Sequence, residues 1–335
     1  MIYSKVIIVG GGPAGSSCGW KLRENGIECL ILDKQEFPRT KLCAGWITPQ
    51  VINNLKINVN DYPYSIRKFN RFNIHIFGKE IKIKVHQYAI RRYEFDDWLL
   101  KRSGVAVNTH AVKNIIKDGD YYVIDDQYSC KYLVGAGGTH CPVYRTFFKN
   151  INPRSDDLLV ITLEEEFPYD YQDIDCHLWF LCNKLPGYSW YVPKSDGYLN
   201  IGIGGYLEKL KANHDDIKNQ WQFFTNELER LSLVKNHNFN PKGYFYYVRN
   251  SVDLVQIDSI FLIGDAAGLA TKDMGEGIGP SVISGISAAH AIVSGKTFSL
   301  RSVKKYSFPR YRTFGKLLFT YLLNQEARVE ELLLN

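Results

Sequence analysis

The residues able to do chemistry begin with Gly10-x-Gly12-x-x-Gly15. This turn follows a short apolar run, Lys5 to Gly10, and opens a helical stretch from Ser16 to Asn25 that Gly26 stops. An acid, Asp33, stands 23 positions after Gly10, at the end of a second apolar run that begins at Ile27. In that order the three glycines serve different ends. Gly10 permits the tight turn, Gly12 lets backbone N–H groups approach a pyrophosphate, and Gly15 lets the helix pack on the strand. The helix N-terminus adds partial positive charge for phosphates, and Asp33 can accept from ribose hydroxyls. The alternative is a structural turn with a surface Asp. The strand–turn–helix–acid context speaks for dinucleotide binding instead.

A second Gly-rich site narrows the cofactor. Phe261-Leu-Ile-Gly-Asp-Ala-Ala-Gly268 places Asp265 at the carboxyl end of a strand, where open α/β sheets bind ligands. Gly275-Glu-Gly-Ile278 then enters a helix. An acid beside ribityl hydroxyls, and a Gly-lined helix start aimed at a ring, suit a flavin, because the helix dipole favours the negative charge of its reduced form.

The elements that must position these sites follow from periodicity. The β–loop–α–β order of the first 33 residues predicts a parallel sheet with a right-handed crossover. Phe72 to Phe77 and Glu80 to Val85 alternate around Gly78, which predicts an antiparallel hairpin. Helices are predicted over Tyr93–Ser103, Ile217–Leu231 and about Gly279–Ser294, and strands over Tyr121–Val134, much of Leu158–Gly205, Tyr244–Val248 and Ser259–Gly264. The chain from Ser302 onward reads as helical, with Phe314, Leu317, Leu318, Tyr321 and Leu322 on one face and Lys304, Lys305, Arg310, Arg312 and Lys316 around it. That helix is either docked on the body of the protein or a lid and interfacial anchor for a lipid tail.

With these motifs in place, the sequence resembles the geranylgeranyl reductase family of FAD-dependent oxidoreductases, within the p-hydroxybenzoate-hydroxylase-like group. The resemblance covers residues 4–295. It rests on Gly10 to Gly15, Lys41-Leu-Cys-Ala-Gly-Trp-Ile-Thr-Pro49, Arg92-Tyr-Glu-Phe-Asp96, Gly187-Tyr-Ser-Trp-Tyr-Val-Pro-Lys194, Gly264 to Gly268 and Gly275 to Ile278. It implies FAD as the cofactor, held by Gly10, Gly12, Pro13, Ala14, Gly15, Asp33, Lys34, Lys41, Ala44, Gly45, Arg92, Val112, Gly264, Asp265, Gly275, Gly277 and Ile278. It places Arg92 at the adenosine and pyrophosphate part and the Cys43–Gly45 loop against the isoalloxazine ring. Tyr188 and Trp190 then line the cavity for an apolar substrate, the Tyr hydroxyl serving as a polar handle. A core aromatic pair is the competing reading of these two residues. Cys43 reads as a proton donor or gate, its thiolate favoured by Arg39 and Lys41, or as a small apolar side chain.

Two positions depart from the family pattern. Gly137 stands where the family has an acid in Ala-Asp-Gly, and Lys272 stands where a Pro precedes the Gly-Glu-Gly turn. The implied fold is α/β: a discontinuous Rossmann-type, glutathione-reductase-like FAD-binding domain with an inserted antiparallel-sheet substrate domain and C-terminal helices. Residues 1–55, 86–145 and 250–298 form the first domain, 56–85 and 146–249 the second, and 299–335 the C-terminal segment. The implied reaction is saturation of C=C bonds in an isoprenoid or similarly apolar substrate. NAD(P)H or a ferredoxin-like protein supplies the electrons, since no second fingerprint marks a nicotinamide domain. A monooxygenase or halogenase, and a flavin-binding redox protein without turnover, are the alternatives.

Composition bounds these readings. The chain has 335 residues, 45% hydrophobic and 14% aromatic, which excludes a mainly disordered chain. Its net charge of +6 suits anionic ligands or lipid surfaces without demanding nucleic acid. Seven cysteines, an odd number without metal-ligand spacing, predict reduced thiols in a cytoplasmic protein and no metal site. No run of 18 apolar residues is present, so membrane contact is expected to be peripheral at most. His75, His86, His110 and His177 show no ligand spacing and read as surface or packing residues. His140 follows the Gly-Gly turn, near the expected cofactor, and Lys79 reads as a solvated charge.

Overall fold

The computed structural model describes residues 1–76, 78–250 and 254–307. The two apolar runs at the start of the chain become parallel strands, Ile2–Val9 and Cys29–Asp33, with Val6 opposite Cys29 and Val9 opposite Leu32. Between them runs the helix Pro13–Glu24. It starts earlier than the predicted Ser16 because Pro13 presets the first helical φ angle and Gly12 serves as N-cap. Cys18 and Leu22 of this helix are buried with Ile8, Ile31 and Val134 of the sheet and Ala288 and Ile292 of the helix Ile278–Ser294.

Six strands of the first sheet run in the order Gln256–Ile257, Ile260–Leu262, Tyr128–Gly135, Ile2–Val9, Cys29–Asp33 and Ala106–Thr109. Its members come from three well-separated stretches of chain. The hairpin Ile115–Asp118 and Tyr121–Ile124 pairs beside Tyr128–Gly135. Helix–strand contact at the fingerprint is very close. A Cβ at Gly15 would overlap the carbonyl oxygen of Gly10, and one at Gly10 would overlap that of Ala136.

The second sheet has the order Lys242–Tyr247, Leu159–Pro168, Tyr198–Tyr206, Gly187–Pro193, Cys176–Phe180, Arg67–Ile76, Lys79–Ala89 and Trp46–Ile47. Its pairings are antiparallel except where Cys176–Phe180 lies parallel to Arg67–Ile76. Strand alternation gives the sheet two apolar faces. Trp179, Leu199, Ile201 and Ile203 pack on Trp221, Phe224 and Leu228 of the helix Ile217–Arg230. The opposite face carries Phe72, Ile74, Val160, Leu178 and Trp190. The α/β class and the two-sheet arrangement expected from the sequence are thus both present.

The C-terminal expectation is corrected where the structure describes it. Residues 299–307 contain no helix. Phe298, Leu300 and Val303 are buried against the first sheet's core, so this stretch runs as an irregular strap along it. Arg249 Nη1 donates to the Val303 carbonyl and the Lys272 N–H to that of Lys305, which fastens the strap. Phe314, Leu317, Leu318, Tyr321 and Leu322 lie outside the described residues, as do Arg310, Arg312 and Lys316.

The overlap at Gly15 sets an expected outcome. Gly15→Ala forces the helix off the strand and costs about 3 kcal/mol, read as a drop of several degrees in the unfolding midpoint. An unchanged midpoint would show that the approach is not tight.

Candidate active site

A cavity of about 780 Å³ lies between the carboxyl ends of the first sheet's strands and the inner face of the second sheet. Gly10, Gly12, Pro13, Ala14, Asp33 and Lys34 line one end. Cys43, Ala44, Lys41, Arg92 and Val112 line its flank, and Asp265, Gly275, Gly277 and Ile278 another part of the wall. Tyr188 and Trp190 complete the set from the second sheet. Gly15, Gly45 and Gly264 do not reach the cavity; they stand behind it, at close approaches to Gly10, Ile90 and Ser281 respectively.

Two long helices begin at this wall without a side-chain cap, at Gly12 and at Gly277. Their first N–H groups therefore have no side-chain acceptor on their own N-cap, and each helix end favours an anion. A Cβ on Gly12 would meet only Arg39 Nη2, at 3.5 Å, and one on Gly277 only the Asp265 carboxylate, Oδ1 at 3.1 Å. Gly12 thus has room where a side chain would stand, whereas at Gly277 the Asp265 carboxylate crowds that position. The Asp33 carboxylate accepts from the N–H groups of Gly11 (2.7 Å) and Gln35 (3.0 Å), which fixes the turn while leaving lone pairs for a ribose. These features fit a dinucleotide whose pyrophosphate meets the first helix, with a ring system near the second.

The electrostatics around Cys43 differ from those read off neighbouring positions. Arg39 is drawn to Asp96 at 3.7 Å, and Lys41 Nζ sits 3.1 Å from the centre of the Tyr244 ring. The guanidinium that reaches the Cys43 thiol is that of Arg92. Arg92 is itself buried and bidentate to Asp96, at 2.6 and 2.7 Å. Burial works against its charge, but Asp96 outweighs that and holds its pKa above the usual arginine value. The Gly45 N–H donates to Cys43 Sγ at 3.3 Å.

Tyr188 and Trp190 share the cavity face, as alternation predicts, yet their polar atoms are committed within the protein. The Tyr188 hydroxyl donates to the Met274 carbonyl at 2.6 Å, and Trp190 Nε1 donates to Asn200 Oδ1 at 2.8 Å. The expected polar handle is therefore a structural clasp, and what Tyr188 offers the cavity is its ring. Trp46, which sequence reasoning did not single out, stacks on that ring at 6.4 Å and 21°.

Sequence reasoning also missed two buried charges. Lys194 is 1% exposed and its ammonium donates to the carbonyls of Ala44 and Ile90. Burial lowers its pKa, opposed by Glu166, Cys43 and Glu164. Glu164 lines the cavity at 4% exposed, and burial pushes its carboxyl up to about 7 against the pull of the Cys43 N–H and Lys194. His140 lines the cavity too. His75 and His177 stack in ring contact with Trp179, brought together by the parallel strand pair.

The two departures have local reasons. A Cβ at Gly137 would press on Cys141, 3.2 Å from its Cα, so an acid there requires the turn to give by a few tenths of an ångström. Lys272 supplies the N–H that ties to Lys305, which a Pro lacks.

Comparison with known proteins agrees with this geometry. Residues 8–75 match the family model described as an NAD(P)-binding Rossmann-like domain. An uncharacterized protein of Methanosarcina barkeri is 33% identical over 86% of this chain and 74% of its own length. Digeranylgeranylglycerophospholipid reductase 2 of Methanopyrus kandleri is 25% identical over 98% of this chain and 87% of its own. Among solved structures, a geranylgeranyl bacteriochlorophyll reductase-like protein of Thermoplasma acidophilum superposes with a TM-score of 0.76 at 19% identity, covering 96% of this chain and 84% of that one. The flavin-dependent brominase Bmp2 gives 0.71 at 21% identity, covering 96% and 88%. The two structures share the fold. Among the described residues, no helix is long and apolar enough to cross a membrane.

The open face of Gly12 separates binding from folding. Gly12→Val should leave the unfolding midpoint of the cofactor-free protein nearly unchanged. It should weaken binding of the dinucleotide at least about tenfold, equivalent to about 1.4 kcal/mol, in a titration followed by fluorescence quenching. Equal affinity in the variant would remove this helix end from the site.

Proposed function

Because this chain belongs to the geranylgeranyl reductase family of FAD-dependent oxidoreductases, we propose that it saturates carbon–carbon double bonds of an isoprenoid or similarly apolar substrate. One observation carries the reading furthest. A single cavity joins the dinucleotide turns to an aromatic wall of Trp46, Tyr188 and Trp190, with Cys43 and Glu164 also on its lining. When bound and reduced, FAD supplies the hydride for such a saturation.

The chain's own residues bind, orient and exclude water. Gly10, Gly12, Pro13 and Ala14 receive the pyrophosphate at the helix end, and Asp33 the ribose. Asp265 and the Gly275–Ile278 turn hold the other half, with Lys34, Lys41, Ala44, Arg92 and Val112 along the flank. Gly15, Gly45 and Gly264 set the backbone spacing behind them. Trp46, Trp190 and the Tyr188 ring form an apolar bed that orients a prenyl chain and keeps water from the reacting carbons. Cys43 controls access at the junction. Electrons arrive from NAD(P)H or a ferredoxin-like protein that approaches the same cavity, and the substrate's apolarity suits delivery from a membrane surface.

The test is anaerobic photoreduction of the purified flavoprotein followed by addition of prenyl alkenes. Flavin absorbance should return and each saturated bond should add two hydrogens to the product mass. Reoxidation by oxygen with halide or an aromatic acceptor, and by no alkene, would instead assign oxygen chemistry of the brominase kind.

A further inference from the structure

Glu164 is a carboxyl group on a cavity face made largely of aromatic and apolar side chains. On the strand Leu159–Pro168, alternation turns Val160, Thr162 and Glu164 inward, and all three line the cavity. The flanking Glu165 and Glu166 are less buried and engage His237 at 3.0 Å and Arg91 at 2.9 Å. Glu164 is different: among the described residues no cation forms an ion pair with it.

The groups facing it come from every neighbouring element. Lys41 and Cys43 lie on the loop, the Cys43 N–H close enough to favour the carboxylate, and Lys194 follows the strand Gly187–Pro193. From Lys242–Tyr247 come Tyr246 and Lys242, the latter directly opposite in register. Gly202 faces it from Tyr198–Tyr206, and Glu166 lies two residues along its own strand. Two of the three nearby cations have other partners, and the third, Lys242, is exposed and makes no ion pair with Glu164. Lys194 is spent on two backbone carbonyls and Lys41 on the Tyr244 ring. A buried carboxyl without an ion pair favours its neutral form, and here burial brings it to about 7, where it can give up a proton under working conditions.

We propose that Glu164 is the proton donor of the reduction, a role that rests on the alkene-saturation reading above. One alkene carbon takes the Glu164 proton as the carboxyl O–H bond breaks. The other carbon takes a hydride from the reduced flavin, whose two electrons came from NAD(P)H or the ferredoxin-like donor. Two C–H bonds replace the π bond, and the Glu164 carboxylate regains its proton from water.

The decisive variant is Glu164→Gln, which keeps the volume and the acceptor for the Cys43 N–H but cannot titrate. Infrared spectra of the wild-type protein should show a protonated carboxyl band that disappears with a midpoint near pH 7, and the variant should lack it. With a prenyl alkene, the wild-type rate should fall as pH rises through that midpoint. Glu164→Gln should be at least about 100-fold slower and lose that limb, while its reduced flavin is still reoxidised by oxygen at the wild-type rate. Cys43→Ala should keep the limb. A wild-type spectrum without the band overturns the proposal, as does a variant that matches the wild-type rate and profile. If the wild type saturates no alkene, the functional reading falls and the donor role with it. If the wild type does and Glu164→Gln equals it, the donor role alone falls.

Discussion

The buried ammonium of Lys194 is the contact on which the site depends. A cavity between two sheets keeps its shape only if the loops crossing it are held at fixed height. Lys194 stands at the end of a second-sheet strand and donates to the carbonyls of Ala44, in the Cys43 loop, and Ile90, just before the Arg92 helix. One side chain therefore fixes the thiol and the buried guanidinium to the second sheet. Burying a lysine is costly, and two carbonyls only partly replace its hydration. The negative potential of Glu166 offsets part of the rest, and burial still holds the Lys194 pKa below its ordinary value. Shortening or neutralising this side chain would leave the two carbonyls unpaired and the loop unsupported.

A second set of contacts closes the cavity from the other side. Tyr188 donates to Met274, Tyr206 to Lys272, and the Tyr246 hydroxyl lies so close to Gly275 that no side chain fits there. All three tyrosines belong to the second sheet, and all grip the turn that leads into the helix at Ile278. That turn is also tied to the strap, since Asp273 accepts from the Ser307 N–H. The dipole of the second helix is thus held in register with the substrate wall by hydroxyl–carbonyl bonds. Phenylalanine could fill the same space and would leave the turn free.

The sequence makes legible what local periodicity controls. Gly10, Gly12, Gly15 and Asp33 occupy the expected turn because a buried parallel strand and a helix leave few ways to connect. Asp265 and Gly277 face each other across the second helix start for the same reason. Long-range pairing is not written locally. Nothing around His75 points to His177, because parallel strands joined through a long crossover set their register by global packing. The strand that carries Glu164-Glu165-Glu166 is legible as a strand, but nothing local shows that Glu164 is buried while Glu165 and Glu166 reach His237 and Arg91. The C-terminal strap misled in the opposite sense: Phe298, Leu300 and Val303 bury their side chains without forming a helix, because Arg249 and Lys272 supply tertiary partners for the backbone.

The inner face of the second sheet joins these elements. Gly202 has no side chain where a Cβ would overlap the Trp190 ring and approach the Glu164 side chain at 2.8 Å. The glycine is therefore the seat that lets a large aromatic and a carboxyl group share neighbouring positions on one face. Removing that space would push the indole outward and leave the acid nearer to water, where its charged form is favoured. The apolar bed and the raised pKa of the acid are then two consequences of one packing choice. The ring offers an apolar surface, and the same exclusion of water raises the pKa of the carboxyl beside it.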